Sequence, residues 1–281
     1  MRTYLDCIPC FIEQALRAGR IATNDEKKIK ELLDSVCSMM KDIPMNNTPP
    51  ETGNIIYRKV REITGVTDPY KKIKKTNIEE ALAIYPNLKI IVNDSDNKLL
   101  TAVRLSIAGN VIDFGPNKKF NLSESVREIL KQDFAISHFG KFVKQLENAK
   151  SVFYLGDNAG ESVFDKILIE EIGKPVTYVV RDVPVINDAT REDAIDSGLN
   201  EVAEIISSGT TAPGTILDLC NDAFIKKFNE ADMIISKGQG NYEGLSNAER
   251  SLFFLLKAKC PVIANDLNVK ENDIVLKGIN I

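Results

Sequence analysis

The stretch YLGDNAGESVFDK, residues 154–166, places polar side chains directly after an apolar, strand-like run. Asp157 and Asn158 follow Gly156, and Glu161 comes three residues later. Carboxylate and amide oxygens are hard ligands of the kind that bind Mg²⁺ or Mn²⁺ in proteins. The same residues also fit a helix N-terminus, with Asp157 or Asn158 as the cap and Glu161 completing a capping box. This stretch by itself does not decide between a metal site and a cap.

Polar residues also follow the next three predicted strands. Asn187 and Asp188 come after the second strand, a loop rich in hydroxyls and glycine at 207–215 follows the third, and Lys237 lies among small residues after the fourth. The carboxyl ends of parallel strands meet at one edge of an open sheet, where ligands bind. We therefore predict that these loops surround one site.

The predicted site combines a metal ion with a phosphate. Asp157, Asn158 and Asp188 are the predicted metal ligands, and Lys237 is predicted to neutralise the phosphate. Asp157, Lys237 and Glu161 are also candidate catalytic residues. A metal next to a phosphate is typical of phosphoryl-group chemistry.

Two glycine-containing loops, at 208–214 and 238–241, are predicted to offer backbone N–H groups to phosphate oxygens. The phosphate-binding residues predicted in them, besides the lysine, are Ser208, Gly209, Gly238 and Asn241.

Each of these features has a simpler alternative. Asn187 and Asp188 fit a helix cap before Thr190, and Lys237 next to Gly238 fits a solvated turn. Neither alternative explains why four strand ends carry the same kinds of residue, which favours the interpretation as a site.

The segment AGNVIDFG, residues 108–115, adds two more candidates. Asn110 and Asp113 are spaced i and i+3 at the end of an apolar helix candidate, so they share one helical face. We predict that this face closes over the metal site, with Asn110 binding substrate and Asp113 in a catalytic role. The alternative is a helix C-terminus with Asn110 near its cap.

The hydrophobic pattern changes near residue 150. Helical periodicity predicts helices at 7–22, 25–43, 49–65, 97–115, 122–132 and 138–148. Strand candidates separated by helices follow at 151–156, 175–180, 201–206, 232–236 and 260–266. The predicted fold class is α/β, with a helical N-terminal region at 1–149 packed on a Rossmann-like domain at 150–281 that has a mostly parallel sheet.

Composition excludes several classes of protein. The 281 residues carry a net charge of −4, which argues against a nucleic-acid partner. No apolar run reaches the roughly 18–20 residues that span a bilayer, and the N-terminus lacks the layout of a signal peptide. We therefore expect a cytoplasmic protein without a membrane partner; the oligomeric state cannot be read from the sequence.

Cys7 and Cys10 form a CxxC motif on the first predicted helix. They fit two core-facing cysteines, a second metal site, or a redox-sensitive pair. Five cysteines, an odd number, argue against a disulfide framework. The single histidine, His138, excludes a zinc-hydrolase cluster of histidines.

Taken together, the motifs GDNAGE (156–161), NDAT (187–190), KGQGN (237–241) and GNVID (109–113) resemble those of the damage-control phosphatase family, long filed as a domain of unknown function. CIPC (7–10) and DPYKKIK (68–74) are similar to its archaeal and bacterial branch. The resemblance runs from Cys7 to about Asn241.

The resemblance implies a phosphatase that depends on a divalent metal (Mn, Mg, Co or Ni) and acts on small phosphorylated metabolites, such as sugar phosphates or damaged phospho-metabolites. By position, Asp157, Asn158 and Asp188 match the family's metal ligands and Lys237 its phosphate-side lysine. Asn110, Asp113 and Glu161 match further motif positions. The chain departs from human relatives, which read Lys-Gly-Asp where this chain has a glutamine, Gln239, in third place.

Several mechanistic alternatives stay open at this stage. The nucleophile is either an activated water or Asp157, which would form a phospho-aspartate. A carboxyl methyltransferase that uses S-adenosylmethionine is one rival function, although GDNAGE fits a cofactor loop poorly and no acidic residue clearly ends the second strand as a ribose ligand, Asp182 being the nearest candidate. A metal-binding or redox-sensing protein without enzyme activity, built around Cys7 and Cys10, is the other.

Overall fold

The computed structural model describes the backbone of residues 1–109 and 122–281, and the side chains of residues 1–109 and 126–281. The helices of the first half are α1 (Cys7–Ala22), α2 (Glu26–Met40), α3 (Pro49–Thr64), α4 (Lys71–Asn93), α5 (Lys98–Gly109), α6 (Leu122–Lys131) and α7 (Phe139–Asn148). Those of the second half are α8 (Ser162–Ile172), α9 (Arg191–Asp196), α10 (Asp222–Glu230), α11 (Gly238–Leu245) and α12 (Pro261–Leu267).

The first three helices pack together around a hydrophobic cluster that includes Phe11, Leu32 and Ile56. Asp25 caps α2 by accepting the backbone N–H of Lys27 at 2.9 Å. Glu51 reaches back to the backbone N–H of Thr48 at 2.5 Å, which starts α3, and Gly65 ends that helix in the left-handed conformation with φ of 76°. These signals are readable in the sequence, so the predicted bounds of α1 to α3 hold to within a few residues.

Within the described residues, seven strands form one sheet. They are β1 (Phe134–Ser137), β2 (Val152–Leu155), β3 (Val176–Val180), β4 (Glu204–Ser207), β5 (Met233–Lys237), β6 (Leu252–Lys257) and β7 (Ile274–Ile279). Their order is β1-β7-β6-β5-β2-β3-β4, and every neighbouring pair is parallel except β6 with β7. The predicted fold class, α/β with a mostly parallel sheet, is confirmed.

The strand order contains a switch point next to β2. From β2 the chain moves outward through β3 and β4, and it then returns to β5 on the other side of β2. Crossovers leave such a pair of strands in opposite directions, which opens a crevice at their carboxyl ends. Residues directly after β2 and β5 therefore lie at the expected position of a ligand site.

The sheet buries a hydrophobic layer on each face. Tyr154 of β2 belongs to the core formed with α4, α5 and α8, whereas its neighbours Phe153 and Leu155 belong to the core formed with α10, α11 and α12. This alternation follows from the period of two in a strand. Because the first core joins residues from both sides of position 150, the division at 149/150 stays a prediction.

Some predicted elements differ from the structure. The strand predicted at 260–266 is wrong: this segment is α12, with Pro261 at its first position, where proline suits a helix. The strand of this region is β6, which ends before Pro261. The sequence reasoning also missed β1, β7 and α4, and the last six residues of the helix predicted at 97–115 lie outside the described residues.

In the described part of the chain, no helix has the length and apolarity needed to cross a membrane.

Candidate active site

The loops after β2 and β3 are held side by side at the crevice. The backbone N–H of Ala189 donates to the carbonyl of Asp157 at 2.8 Å, and that of Ala159 donates to the carbonyl of Asn187, also at 2.8 Å. An isolated antiparallel bridge pairs Asn158 with the aspartate that follows Asn187. The predicted convergence of these two loops is therefore what the backbone shows.

The three predicted metal ligands line one cavity. Asp157, Asn158 and Asp188 contribute to a cavity of about 290 Å³ between the sheet edge and helices α1 and α3. Asp157 is 9% exposed and Asp188 is 4% exposed, so both carboxylates are largely screened from bulk water.

Arg181, the residue directly after β3, lies between these two carboxylates. Its Nε donates to Asp188 Oδ2 at 2.7 Å, and its Nη2 lies 3.8 Å from Asp157 Oδ1. Burial raises the pKa of Asp188, and the Arg181 guanidinium opposes that rise. We call Asp157, Asn158, Asp188 and Arg181 the carboxylate site.

Asn241 on α11 holds Arg181 in place. Its side-chain oxygen accepts Nη2 of Arg181 at 3.0 Å and the backbone N–H of Thr215 at 2.9 Å, and its amide nitrogen donates to the carbonyls of Gly156 and Lys237. Asn241 is fully buried, so its described hydrogen bonds tie together the loops that carry the site.

The chain enters α11 directly from β5, and it passes Asp157 so closely at Gly238 that only glycine fits. Gly238 has φ of 77°, and a Cβ built on it would lie 1.9 Å from Asp157 Oδ2. Both the backbone conformation and the close approach therefore require glycine at this position.

Lys237 lies behind the crevice in a second charged group. Its ammonium donates to the carbonyl of Ser106 at 2.8 Å, to Asp165 Oδ1 at 2.7 Å and to Glu161 Oε1. Burial favours the neutral amine, but the two carboxylates outweigh it and raise the pKa of Lys237. The alternative of a solvated turn lysine is wrong, because Lys237 is the fully buried last residue of β5. We call Lys237, Glu161 and Asp165 the lysine cluster.

Two tyrosines close the lysine cluster. The hydroxyls of Tyr154 and Tyr178 donate to Asp165 at 2.7 and 2.9 Å, respectively, and the hydroxyl of Ser106 donates to it at 2.9 Å. All three members of the cluster are 0% exposed, and the described lining of the cavity leaves them out.

Glu161 connects the two groups. Its Oε2 accepts the backbone N–H of Asn158 at 3.5 Å and the side-chain amide at 3.4 Å, while Oε1 pairs with Lys237. Burial raises the pKa of Glu161 to about 7, against the attraction of Lys237. Helix α8 begins at Ser162 with Glu161 at its N-cap position, so the predicted capping box, with Asp157 or Asn158 as the cap, is wrong. Glu161 instead links Asn158 to Lys237.

Two predicted phosphate-binding residues lie in a loop that satisfies its own polar groups. The hydroxyl of Ser208 donates to the carbonyl of Val180 at 3.0 Å, and the backbone N–H of Gly209 donates to the hydroxyl of Ser207 at 3.0 Å. The described lining of the cavity leaves out Ser208, Gly209, Gly238 and Asn241, so their contact with phosphate stays a prediction.

Comparison with known proteins identifies the family. Residues 3–275 match the damage-control phosphatase ARMT1-like domain. The chain belongs to this family.

Several relatives match over nearly their whole length. The damage-control phosphatase of Pyrococcus horikoshii is 35% identical over 282 residues, covering 98% of this chain and 97% of that protein. A damage-control phosphatase of Archaeoglobus fulgidus is 36% identical over 97% of this chain and 98% of its own. An uncharacterized protein of Methanocaldococcus jannaschii is 35% identical over 96% of this chain and 93% of its own. The crystal structure of a DUF89 family protein from P. horikoshii superimposes with a TM-score of 0.90 at 34% identity, covering 98% of both chains.

Two of the family motif positions, Asn110 and Asp113, lie outside the described residues. Their predicted roles over the site stay predictions.

The CxxC cysteines of this family member face the site. Cys7 is half-buried and Cys10 is exposed, and both line the cavity together with Cys260, the residue before α12. The alternative of two core-facing cysteines is therefore wrong for Cys10. Burial raises the pKa of both Cys7 and Cys10, so these thiols are protonated at neutral pH.

The donor set of the carboxylate site fits a hard divalent cation. Among the described residues, no group of three or more His, Cys, Asp or Glu side chains is placed to hold a metal ion. The carboxylate site offers two carboxylates and an amide instead, which is the oxygen-rich and incomplete set that Mg²⁺ and Mn²⁺ bind with water in the remaining positions.

Sequence reasoning missed Arg181, Asp165 and Glu243 as residues of the site, and it noted Gln239 only as a departure from the family motif. Gln239 and Glu243 line the cavity. Arg181 directly follows β3, and the other predicted site residues also lie at strand ends. Gln239 and Glu243 are spaced i and i+4 on α11, which would have placed them on one face.

Proposed function

We propose that this protein is a divalent-metal-dependent phosphatase that hydrolyses small phosphorylated metabolites, with sugar phosphates or damaged phospho-metabolites as the substrate class. The observation that carries the proposal is the convergence of Asp157, Asn158 and Asp188, from two loops, on one cavity. Membership of the damage-control phosphatase family supports it.

Asp157, Asn158 and Asp188 would hold the metal, which is Mn, Mg, Co or Ni. When bound, such an ion offsets the charge on a phosphoryl group and lowers the pKa of a bound water. Arg181 opposes the rise in the pKa of Asp188 and holds the two carboxylates in place, since its guanidinium donates to Asp188 and approaches Asp157.

The phosphate would lie where α11 begins. Gly238, the first residue of α11, packs against Asp157, and Gln239 and Gly240 line the cavity. The N-terminus of a helix presents free N–H groups and the positive end of its dipole, which favour a phosphate.

Lys237 supports the site through Glu161 in this proposal. Its ammonium holds one carboxylate oxygen of Glu161 while the other accepts from Asn158. Direct contact of Lys237 with phosphate requires that one of its three described hydrogen bonds be exchanged. Water and Asp157 both remain candidates for the nucleophile.

The methyltransferase alternative is weaker. Asp182, the residue that would bind a ribose, accepts the hydroxyl of Ser207 at 2.7 Å instead.

The test is phosphate release from p-nitrophenyl phosphate and a panel of sugar phosphates. We expect turnover with Mn²⁺, Co²⁺, Ni²⁺ or Mg²⁺ and none after chelation. Asp157→Ala and Asp188→Ala should lower kcat at least about 100-fold. Asp182→Ala, an exposed aspartate at a neighbouring strand end, is the matched control and should retain full activity. Metal-independent turnover, or full activity in Asp157→Ala, would sink the proposal.

A further inference from the structure

A further carboxyl group lies in the cavity that contains the carboxylate site. Glu243 on α11 lines the cavity together with Asp157 and Asp188, and it is partly buried. Nothing in the proposed metal site uses it. Glu243 is therefore placed where it can reach a bound substrate.

Gln239 holds this carboxyl. Gln239 lies one helical turn before Glu243, and its Nε2 donates to Glu243 Oε1 at 2.9 Å. The amide is fixed at its other end, because Gln239 Oε1 accepts the backbone N–H of Lys259 at 3.2 Å. A carboxyl oriented in this way presents its second oxygen without the entropy cost of a free side chain.

The surroundings favour the protonated form of Glu243. Titratable groups that line the same cavity or lie near Glu243 are the Met1 amine, Asp6 before α1, Cys7 and Cys10 of α1, Asp157, Asp188, and Lys259 with Cys260 before α12. Helix α3 contributes prolines and a glycine to the cavity. Burial raises the pKa of Glu243 to about 7, whereas its hydrogen bond from Gln239 and the Met1 ammonium oppose the rise and the charge of Asp157 adds to it. A general acid works best with a pKa near the operating pH.

We propose that Glu243 is the general acid that protonates the leaving oxygen of the phosphate ester, and that Gln239 is its positioning residue. This inference rests on the proposed phosphatase function. The motif KGQGN has a glutamine at position 239, and Glu243 places a carboxyl one turn later on the same helix.

The step balances with water as the other reactant. The bond from phosphorus to the ester oxygen breaks, and its electron pair stays on that oxygen, which takes the proton of the Glu243 carboxyl and leaves as an alcohol. Water supplies the new bond to phosphorus, and its released proton returns Glu243 to the acid form. The net reaction is phosphate ester plus water to alcohol plus phosphate.

Substrates with different leaving groups distinguish a general-acid role of Glu243 from a structural role. An alkoxide is a poor leaving group and needs a proton, whereas p-nitrophenolate leaves without one. Glu243→Gln should therefore lower kcat for glycerol phosphate about 100-fold or more, and change that for p-nitrophenyl phosphate less than about fivefold. In the native enzyme kcat/KM for glycerol phosphate should fall as the pH rises through about 7, and this alkaline fall should disappear in Glu243→Gln.

Two controls accompany this variant. Glu249→Gln changes an exposed glutamate of the same segment and should match the native enzyme on both substrates. The thermal shift produced by Mn²⁺ should be the same in Glu243→Gln and the native protein, because Glu243 is not a metal ligand in this account.

Gln239→Ala gives an independent readout that does not depend on Glu243→Gln folding. Because the hydrogen bond from Gln239 lowers the pKa of Glu243, its loss should move the alkaline fall of kcat/KM to higher pH. An equal loss on both substrates in Glu243→Gln, or an unmoved alkaline fall in Gln239→Ala, overturns the role of Glu243 while leaving the phosphatase in place. A native enzyme that hydrolyses neither substrate with any metal overturns the proposed function itself, and the role of Glu243 with it.

Discussion

The carboxylate site and the lysine cluster are built from the same kinds of residue, and yet they differ in what they can bind. Each places one cation against two carboxylates. In the lysine cluster the described ammonium hydrogen bonds all end on protein acceptors, and its members are 0% exposed. In the carboxylate site, Asp157 and Asp188 line a cavity.

Access to the cavity, and not the type of residue, separates the structural role of the lysine cluster from the chemical role of the carboxylate site. A buried ion pair with all its hydrogen bonds made is a rigid support, because breaking it leaves an uncompensated charge. A pair of carboxylates held by an arginine but facing a cavity can still accept a cation. Glu161 belongs to the first group and contacts Asn158 of the second, so the rigid cluster positions the site.

Removing the lysine is the strongest way to break this arrangement. Lys237→Met leaves Glu161 and Asp165 buried without their cation, and it should lower the free energy of unfolding by about 3–5 kcal/mol. Urea unfolding followed by circular dichroism measures this. The control is Lys227→Met, which breaks an exposed pair with Glu204 and should cost less than about 1 kcal/mol. Equal effects of the two substitutions would contradict the structural role of the cluster.

Gly238→Ala sharpens the comparison by disturbing the carboxylate site from the backbone side. The added Cβ collides with Asp157, and the left-handed φ of Gly238 is strained for alanine. We expect a loss of about 2–3 kcal/mol in the free energy of unfolding and weaker Mn²⁺ binding by calorimetry.

The matched control for this change is Gly65→Ala. Gly65 has nearly the same φ, 76°, but a Cβ there meets nothing within 4 Å, so the variant isolates the backbone strain. It should cost about 1 kcal/mol and leave Mn²⁺ binding unchanged. If Gly238→Ala binds Mn²⁺ as the native protein does, the close approach to Asp157 has no role in the site.

The smallest expected effect is on the pH dependence of stability. The pKa of Glu243 is raised from 4.5 to about 7 by folding, so the folded state binds this proton more tightly. The resulting stabilisation is complete below about pH 4.5 and is lost as the pH rises through 7.

Glu243→Gln removes this pH-dependent loss of stability, because glutamine does not titrate. Between pH 4.5 and 7.5, the free energy of unfolding of the metal-free variant should fall by about 1–2 kcal/mol less than that of the native protein. Urea titrations at several pH values measure the difference. Parallel curves for the two proteins would show that folding does not change the pKa of Glu243.

Local signals account for the parts of the fold that the sequence predicts well. The helix predicted at 7–22 coincides with α1, and the loops of Asp157 and Asp188 meet as expected because parallel strands align their carboxyl ends. The failure at α12 is also local: its apolar residues after Pro261 resemble a short buried strand, which periodicity cannot distinguish from a buried helix segment.

Long-range packing accounts for what the sequence does not predict. Lys237 reads as a loop residue, and its acceptors Ser106, Glu161 and Asp165 lie 131, 76 and 72 positions away along the chain. The proximity of Cys260 to the CxxC motif is likewise long-range, because the start of α12 and α1 line the same cavity. No local pattern reports such contacts.

The central claim is that Asp157, Asn158 and Asp188 form a divalent metal site. Anomalous diffraction from crystals soaked with Mn²⁺ tests it most directly. We predict one strong peak within about 2.5 Å of an oxygen from each of these three side chains, and its loss in Asp157→Asn. A peak at the cysteines of the cavity, or none near the three residues at saturating Mn²⁺, would contradict the account.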